Sequence, residues 1–123
     1  MNEKHPEMGD IILIDFSPQI GVEIAKRRPA LVVSRTIFIS HTNFVWVCPI
    51  SSTIKKYPTH VSLDEMTKTQ GEIKVSQIRA LNYKARGWTF LEKAPTEILM
   101  QVKHLIDAIT NVSDEFENKY PQP

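Results

Sequence analysis

Short stretches of apolar residues, separated by turn-forming residues, occupy the first three-quarters of the chain. Each stretch is rich in Val, Ile, Phe or Trp and is too short for a long helix, which is typical of β-strands bounded by loops. Spacings of this kind predict a small barrel or a tightly curled antiparallel sheet. The predicted strands are Asp10–Phe16, Pro29–Ser34, Asn43–Ile50, Thr59–Leu63, Gly71–Ser76 and Gly87–Leu91.

The last quarter of the chain has a helical period. After Pro95, the expected first helical residue, apolar side chains recur at helical spacing with polar residues between them, which predicts one amphipathic helix packed against the sheet. These apolar positions are Ile98, Leu99, Val102, Leu105, Ile106 and Ile109. Residues 111–123 are acidic, show no periodicity and end in two prolines around a glutamine, so we expect a disordered tail there. The two patterns together predict a single α+β domain over residues 1–110.

The composition is that of a globular domain in water. Hydrophobic residues make up 41% of the 123 residues and charged residues 24%, a balance that suits one compact core. Cys48 is the only cysteine, which excludes an intramolecular disulfide and a cysteine-rich zinc site and favours a cytoplasmic location. The first ten residues lack an apolar run, and the longest apolar stretches are far shorter than the ~20 residues of a membrane span. We therefore expect neither a signal peptide nor a membrane segment.

Positive charge is concentrated in the middle of the chain. Residues 24–91 contain eleven Lys or Arg against three acidic residues, a net charge of +8, whereas the whole chain carries +1. Basic side chains near phosphates gain free energy through counterion release, so this distribution favours a polyanionic or acidic partner. A solvated basic surface without such a partner is the alternative that charge alone leaves open.

A set of polar residues lies in three places: in the long segment 17–28, which connects the first two predicted strands, after the third predicted strand, and near the fifth. Long loops on a compact scaffold often carry binding or catalysis, although an irregular hairpin would look the same. A carboxylate can accept a proton from a hydroxyl, a guanidinium can bind a phosphate, and hydroxyl or amide donors can hold its other oxygens, so the set fits a phosphodiester site. Ordinary turns and solvated loop ends are the alternative for each member. The set comprises Glu23, Lys26, Arg27, Arg28, Ser51, Ser52, Thr53, Lys74, Ser76, Gln77 and Arg79.

Other chemistries have little support in the sequence. The four histidines show no metal-ligand spacing and the four glycines are isolated, so we expect neither a metal enzyme nor a nucleotide cofactor. Cys48 alternates with Trp46 on a strand face that we predict to be buried, and we interpret this cysteine as core packing rather than as a nucleophile.

Several segments resemble, in order and spacing, the motifs of the MazF/PemK toxins of bacterial toxin-antitoxin modules. The resemblance extends from about Met8 to Thr110, and the RPA, QIR and KARG segments together make it specific. The matching segments are GDIILIDFSP, GVEIAKRRPALVVS, VCPISST, YPTHVSL, VSQIRAL and NYKARG.

This resemblance implies a curled, SH3-like β-barrel with a C-terminal helix, packed as a homodimer. It also implies an endoribonuclease that cuts single-stranded RNA within short sequences, with no metal ion or other cofactor. The 2′-hydroxyl attacks the adjacent phosphorus and leaves a 2′,3′-cyclic phosphate and a 5′-hydroxyl, so DNA, which lacks that nucleophile, is not cut. An antitoxin is expected to hold the enzyme inactive by placing an acidic, disordered segment in the RNA groove.

The resemblance also suggests roles for single residues. Arg28 falls on the arginine of the family's RP motif and is expected to stabilise the charge of the phosphorane, because a guanidinium keeps its proton at neutral pH. Ser51 stands where the family usually has a phosphate-binding threonine, so the hydroxyl is kept. Gln77 matches a phosphate- or base-contacting glutamine. The residues expected to bind the substrate are Lys26, Arg27, Ser52, Thr53, Lys55, Lys56, Lys74, Ser76, Gln77, Arg79 and Arg86.

The general base is the least determined role. Glu23 matches a loop glutamate proposed as the base in some members, and it is our first choice. In PemK-like members the role of base is assigned to an aspartate just before the glutamine, at the position where this chain has Ser76. The alternative is that Glu23 only orders the loop through Lys26 or Arg27.

Two other functions are kept as alternatives. The CcdB-like toxins share the fold but bind DNA gyrase and cut nothing, so the fold by itself does not decide the activity. The RRP, SST and SQIR segments favour the nuclease branch. A catalytically inactive relative that only binds RNA or an antitoxin is the second alternative, because Ser51 and Ser76 depart from the family pattern.

Overall fold

The computed structural model describes residues 4–17 and 27–113. Seven strands and three helices are found in this part of the chain. The strands are β1 (Asp10–Asp15), β2 (Arg27–Val32), β3 (Phe44–Ser51), β4 (His60–Ser62), β5 (Glu72–Lys74), β6 (Arg79–Asn82) and β7 (Trp88–Lys93). The helices are α1 (Thr36–Thr42), α2 (Tyr83–Arg86) and α3 (Thr96–Thr110), and a 3-10 turn at Val75–Gln77 links β5 to β6.

All strand pairs are antiparallel, and β3 is the centre of the sheet. The strands follow the order β4-β5-β3-β2-β1-β7, and β6 also pairs with β3, on the same edge as β5. One edge of β3 pairs with β2, while its other edge pairs first with β6 and then with β5. The sheet is curled but does not close into a barrel, because β4 and β7 do not pair with each other. The predicted α+β fold with a curled sheet and a C-terminal helix is confirmed.

An apolar core lies on each face of the sheet, because successive side chains of a strand point to opposite faces. Helix α3 covers the first face, and α1 and α2 contribute to the second. The first core includes Ile11, Leu31, Cys48, Ile98 and Val102. The second core includes Ile12, Ala30, Val45, Ile39 and Tyr83.

The predicted C-terminal helix is present as α3, with Pro95 as its N-cap rather than its first helical residue. Ile98 and Val102 are buried, and Leu99, Leu105 and Ile106 pack partly against the core. Ile109, which was expected on the same face, lies in the last turn of α3 and is exposed. No helix in the described part of the chain is long and apolar enough to cross a membrane.

Each of the six predicted strands is present within a few residues, but α1, β6 and α2 were not predicted. Helix α1 has seven residues and α2 only four, which is too short for a helical period to be visible in the sequence. Strand β6 has four residues, of which only Leu81 is buried, so its pattern does not differ from that of a loop. These three elements depend on their contacts with β3 and β1.

Cys48 is fully buried in the first core, as predicted. Burial raises the pKa of its thiol to about 12, so the thiolate that a nucleophile would need is not formed at neutral pH. The prediction that Trp46 shares a buried face is wrong, since its side chain is 47% exposed. Both residues point to the same face of β3, and the first core covers that face at Cys48 and Ile50 but not at Trp46.

Candidate functional site

A pocket of about 600 Å³ opens at the start of β2. Strand β3 lies between β2 and β6, pairing Ala30 with Pro49 on one edge and Val47 with Arg79 on the other. This arrangement brings β2 and the beginning of β6 to the same end of β3. Three predicted site residues, Arg28, Gln77 and Arg79, therefore meet in one pocket although up to fifty-one residues separate them. The pocket is lined by Phe16, Ser17, Arg28, Pro49, Gln77, Ile78 and Arg79.

Arg79 is held against the end of β1. Its Nη1 donates a hydrogen bond to the carbonyl oxygen of Phe16 at 3.3 Å, and the guanidinium carbon lies 5.5 Å from the centre of the Phe16 ring. A cation stacked on an aromatic ring loses part of its freedom before any ligand arrives. Arg28, on β2 opposite Ile14, is exposed. The two guanidinium groups give the pocket the charge that a phosphate needs.

A buried carboxylate fixes the end of β1 next to this pocket. Asp15 accepts hydrogen bonds from the hydroxyl and the backbone N–H of Ser17, and these bonds hold the pKa of its carboxyl below the usual range, with smaller contributions from Arg86 and Arg27. Arg86 donates from Nη1 to the carbonyl oxygens of Asp15 at 2.9 Å and Ser17 at 2.7 Å. Arg86 therefore stabilises the backbone at the end of β1 and the start of the segment that follows it. Its role in substrate binding stays a prediction.

Ser51 ends β3 and lies outside the pocket lining. Its Oγ accepts a hydrogen bond from the backbone N–H of Thr53 at 3.1 Å, so the hydroxyl hydrogen is left to donate. The backbone of Gly71 passes very close to Ser51: a Cβ at position 71 would lie 2.2 Å from the Ser51 carbonyl oxygen. Gly71 also has a φ of +124°, which side chains disfavour. This glycine is therefore needed to hold Ser51 where it is.

The other predicted contacts are spread over several elements, and most of those in the described residues are exposed. Ser52, Thr53, Lys55 and Lys56 are exposed in the segment between β3 and β4. Lys74 is half-buried on β5, opposite His60. Ser76 is exposed in the 3-10 turn, and Arg27 is exposed at the start of β2, opposite Asp15. Glu23 and Lys26 lie outside the described residues.

Two contributors to this region were missed in the sequence. Phe16, at the end of the first apolar stretch, carries the Arg79 guanidinium, and an aromatic residue next to a predicted binding loop could have indicated it. Glu72 is an acidic residue in the most basic part of the chain, inside a predicted strand, and its side chain is fully buried. The burial of Glu72 becomes visible only in the folded structure.

In the part of the chain that the structure describes, no group of three or more His, Cys, Asp and Glu side chains could hold a metal ion.

Comparisons with known proteins agree on one group of relatives. A family model described as PemK-like, MazF-like toxin of type II toxin-antitoxin system matches residues 7–110. The endoribonuclease toxin MazF of Escherichia coli K12 is 32% identical over 104 residues, which cover 85% of this chain and 93% of that protein. The endoribonuclease PemK of Escherichia coli is 34% identical over 100 residues, which cover 78% of this chain and 75% of that protein.

Solved structures give the same result for the fold. The crystal structure of MazF from Deinococcus radiodurans is similar with a TM-score of 0.78 and 30% identity, over 87% of this chain and 97% of that one. A crystal structure of MazE-MazF from the same organism is similar with a TM-score of 0.78 and 26% identity, over 89% and 98%.

Proposed function

Because this chain belongs to the PemK-like, MazF-like toxins of type II toxin-antitoxin systems, we propose that it is an endoribonuclease that cleaves single-stranded RNA and is neutralised by an antitoxin. The relatives named MazF and PemK are endoribonucleases. The observation that carries the proposal is the pocket that gathers Arg28, Gln77 and Arg79, since two guanidinium groups and an amide are suited to a phosphodiester and its neighbouring base.

The proposed reaction is transesterification within the RNA strand. The 2′-hydroxyl loses its proton as its oxygen bonds to the adjacent phosphorus, and the bond from phosphorus to the 5′-oxygen breaks. The products are a 2′,3′-cyclic phosphate and a 5′-hydroxyl. Arg28 stabilises the negative charge that develops on the phosphorane oxygens, and the Ser51 hydroxyl donates to the scissile phosphate. Glu23, which lies outside the described residues, is proposed to accept the proton.

The bound RNA strand is proposed to continue from the pocket across the surface around Ser51. Exposed lysine and hydroxyl side chains there can contact phosphates and sugars without reading the base sequence. The residues proposed for these contacts are Arg27, Ser52, Thr53, Lys55, Lys56, Lys74 and Ser76, together with Lys26, which lies outside the described residues.

We propose that the antitoxin places an acidic, disordered segment on the same surface. MazF of Deinococcus radiodurans has been solved together with MazE, and an antitoxin partner for this chain is consistent with that complex. The pocket combines arginines with the apolar side chains of Phe16, Pro49 and Ile78, which suits a peptide that alternates acidic and apolar residues.

A homodimer is proposed for the assembled protein. Phe44 and Trp46 share a face of β3 with Cys48, which packs under α3, yet both are exposed. Phe38 of α1 packs edge-to-face on Trp46, with ring centres 6.2 Å apart. Met100 of α3 is also exposed. A second copy of the chain would bury such an apolar surface.

The deciding experiment is to incubate the purified protein with a long single-stranded RNA in excess EDTA and to map the ends of the fragments. We expect every cut to fall within the same short recognition sequence and to leave 2′,3′-cyclic phosphate and 5′-hydroxyl ends. A strand of the same sequence made of DNA is the control and should stay intact. RNA that stays intact with and without EDTA would contradict the proposal and favour a toxin that only binds its target. Cutting that stops when EDTA is added would instead indicate a metal-dependent nuclease and contradict the proposed mechanism.

A further inference from the structure

The side chain of Glu72 is enclosed beneath the segment that joins β3 to β4. Its Oε1 accepts a hydrogen bond from the backbone N–H of Lys55 at 2.9 Å, and its Oε2 accepts one from the backbone N–H of Lys56, also at 2.9 Å. The Nδ1 of His60 lies 3.0 Å from Oε1. One buried carboxylate therefore binds two successive amides of the segment and a side chain of β4.

These bonds keep the carboxylate ionised in spite of its burial. Burial alone would raise the pKa of Glu72, but the amide of Lys55, followed by His60 and the amide of Lys56, lowers it below the usual range. An ionised carboxylate can accept hydrogen bonds on both oxygens at once.

We call these hydrogen bonds the Glu72 clamp. They act on the part of the segment that carries two exposed lysines, Lys55 and Lys56. Lys56 has a φ of +57°, a left-handed conformation that costs a non-glycine residue about 1 kcal/mol or more. The hydrogen bond from its amide to Glu72 holds the residue in this conformation. The backbone of Glu72 also pairs directly with Ser51, so the same residue of β5 fixes the end of β3 and the course of the chain after it.

We propose that Glu72 is a positioning residue for RNA binding: its carboxylate fixes Lys55 and Lys56 at a set place relative to Ser51, so that both ammonium groups meet the phosphates of a bound strand. This inference rests on the proposed ribonuclease function. A fixed segment binds RNA more tightly than a free one because less conformational entropy is lost when the complex forms. The clamp changes binding and not the chemical step, because Ser51 itself stays anchored by its place in β3.

A second clamp of the same design provides the matched control. Glu92 of β7 accepts the backbone N–H of Lys68 at 3.0 Å on Oε1 and that of Thr69 at 2.7 Å on Oε2. Burial would raise the pKa of Glu92, but the Thr69 hydroxyl and the two amides outweigh it and lower the pKa. The segment held by Glu92 carries none of the proposed RNA-binding residues.

The test compares Glu72→Gln with Glu92→Gln. Glutamine keeps the shape but offers one acceptor oxygen, and its NH₂ group faces the second amide donor. We expect Glu72→Gln to raise KM for RNA about fivefold or more while kcat stays within about twofold, and Glu92→Gln to leave both within about twofold. Equal KM values for the two variants, or a loss confined to kcat, would overturn the proposal.

A double-mutant cycle tests the route of the effect. If Glu72 acts through the lysines, Glu72→Gln should raise KM much less in a chain that already carries Lys55→Ala and Lys56→Ala than in the wild type. An equal increase in both backgrounds would show that Glu72 acts elsewhere.

Hydrogen exchange of the wild-type protein tests the clamp without any substitution. The amides of Lys55 and Lys56 should exchange more slowly than that of the exposed Ser52, and fast exchange at both lysines would overturn the clamp whatever the stability of the variants. A wild-type protein that does not cut RNA would overturn the proposed function itself. Normal cutting with an unchanged KM in Glu72→Gln would overturn this inference alone.

Discussion

Arg28 and Arg79 are the two guanidinium groups of the pocket, and they differ in how they are held. Arg79 is stacked on Phe16 and bonded to its carbonyl oxygen, so it supplies a fixed charge next to the bound strand. Arg28 is exposed at the pocket wall, where a bound phosphate can reach its guanidinium group. The proposed mechanism assigns the phosphorane to Arg28 because this residue falls on the arginine of the family's RP motif.

Substitution of Arg28 tests this assignment. We expect Arg28→Ala to lower the single-turnover cleavage rate about a hundredfold or more, because one lost donor to a developing oxyanion typically costs about 3 kcal/mol. Arg35→Ala is the control, since Arg35 is exposed just before α1 and does not line the pocket. Equal rates for Arg28→Ala and the wild type would exclude Arg28 from the reaction.

At the scale of elements, the contact between β5 and the end of β3 depends on a glycine. We expect Gly71→Ala to lower the free energy of unfolding by about 3 kcal/mol or more and to reduce RNA cleavage, because the added Cβ meets the Ser51 carbonyl and the positive φ is strained. Denaturant unfolding and a cleavage assay measure the two effects.

Gly9→Ala separates strain from steric overlap. Gly9 also has a positive φ, of +91°, but its nearest neighbours to an added Cβ are side-chain atoms at 3.5 and 3.7 Å. This variant should lose only about 1 kcal/mol of stability, from strain alone, and keep its cleavage rate. A loss as large as that of Gly71→Ala would mean that the contact with Ser51 does not matter.

At the scale of the whole molecule, the exposed aromatic surface predicts association of two chains. We expect Trp46→Glu to convert a dimer into a monomer, because a carboxylate would be buried without a partner at the interface. Light scattering after gel filtration gives the mass. Phe90→Glu is the control: Phe90 is also 47% exposed, but it pairs with Ile12 and so faces the opposite side of the sheet. A wild-type monomer, or a dimer that survives Trp46→Glu, would refute this surface as the interface.

The sequence by itself determined the elements whose periodicity is strong. The six predicted strands stand out as short runs rich in Val, Ile, Phe or Trp between turn-forming residues, and helix α3 stands out by the helical spacing of residues such as Ile98 and Val102, so the fold class could be predicted. The basic charge of residues 24–91 and the segments around Arg28, Ser51 and Gln77 pointed to a phosphodiester site before any contact was known.

Only the tertiary structure decided which of these residues meet. Arg28, Gln77 and Arg79 share a pocket because β3 pairs with β2 on one edge and with β6 on the other, and β6 itself has too few buried residues to be seen in the sequence. Glutamate is a residue type that usually lies on the surface, yet the carboxylate of Glu72 is buried by a segment that folds back over it. Periodicity reports the burial of a residue within its own element, whereas pairing between distant strands and hydrogen bonds to backbone amides depend on where the rest of the chain passes.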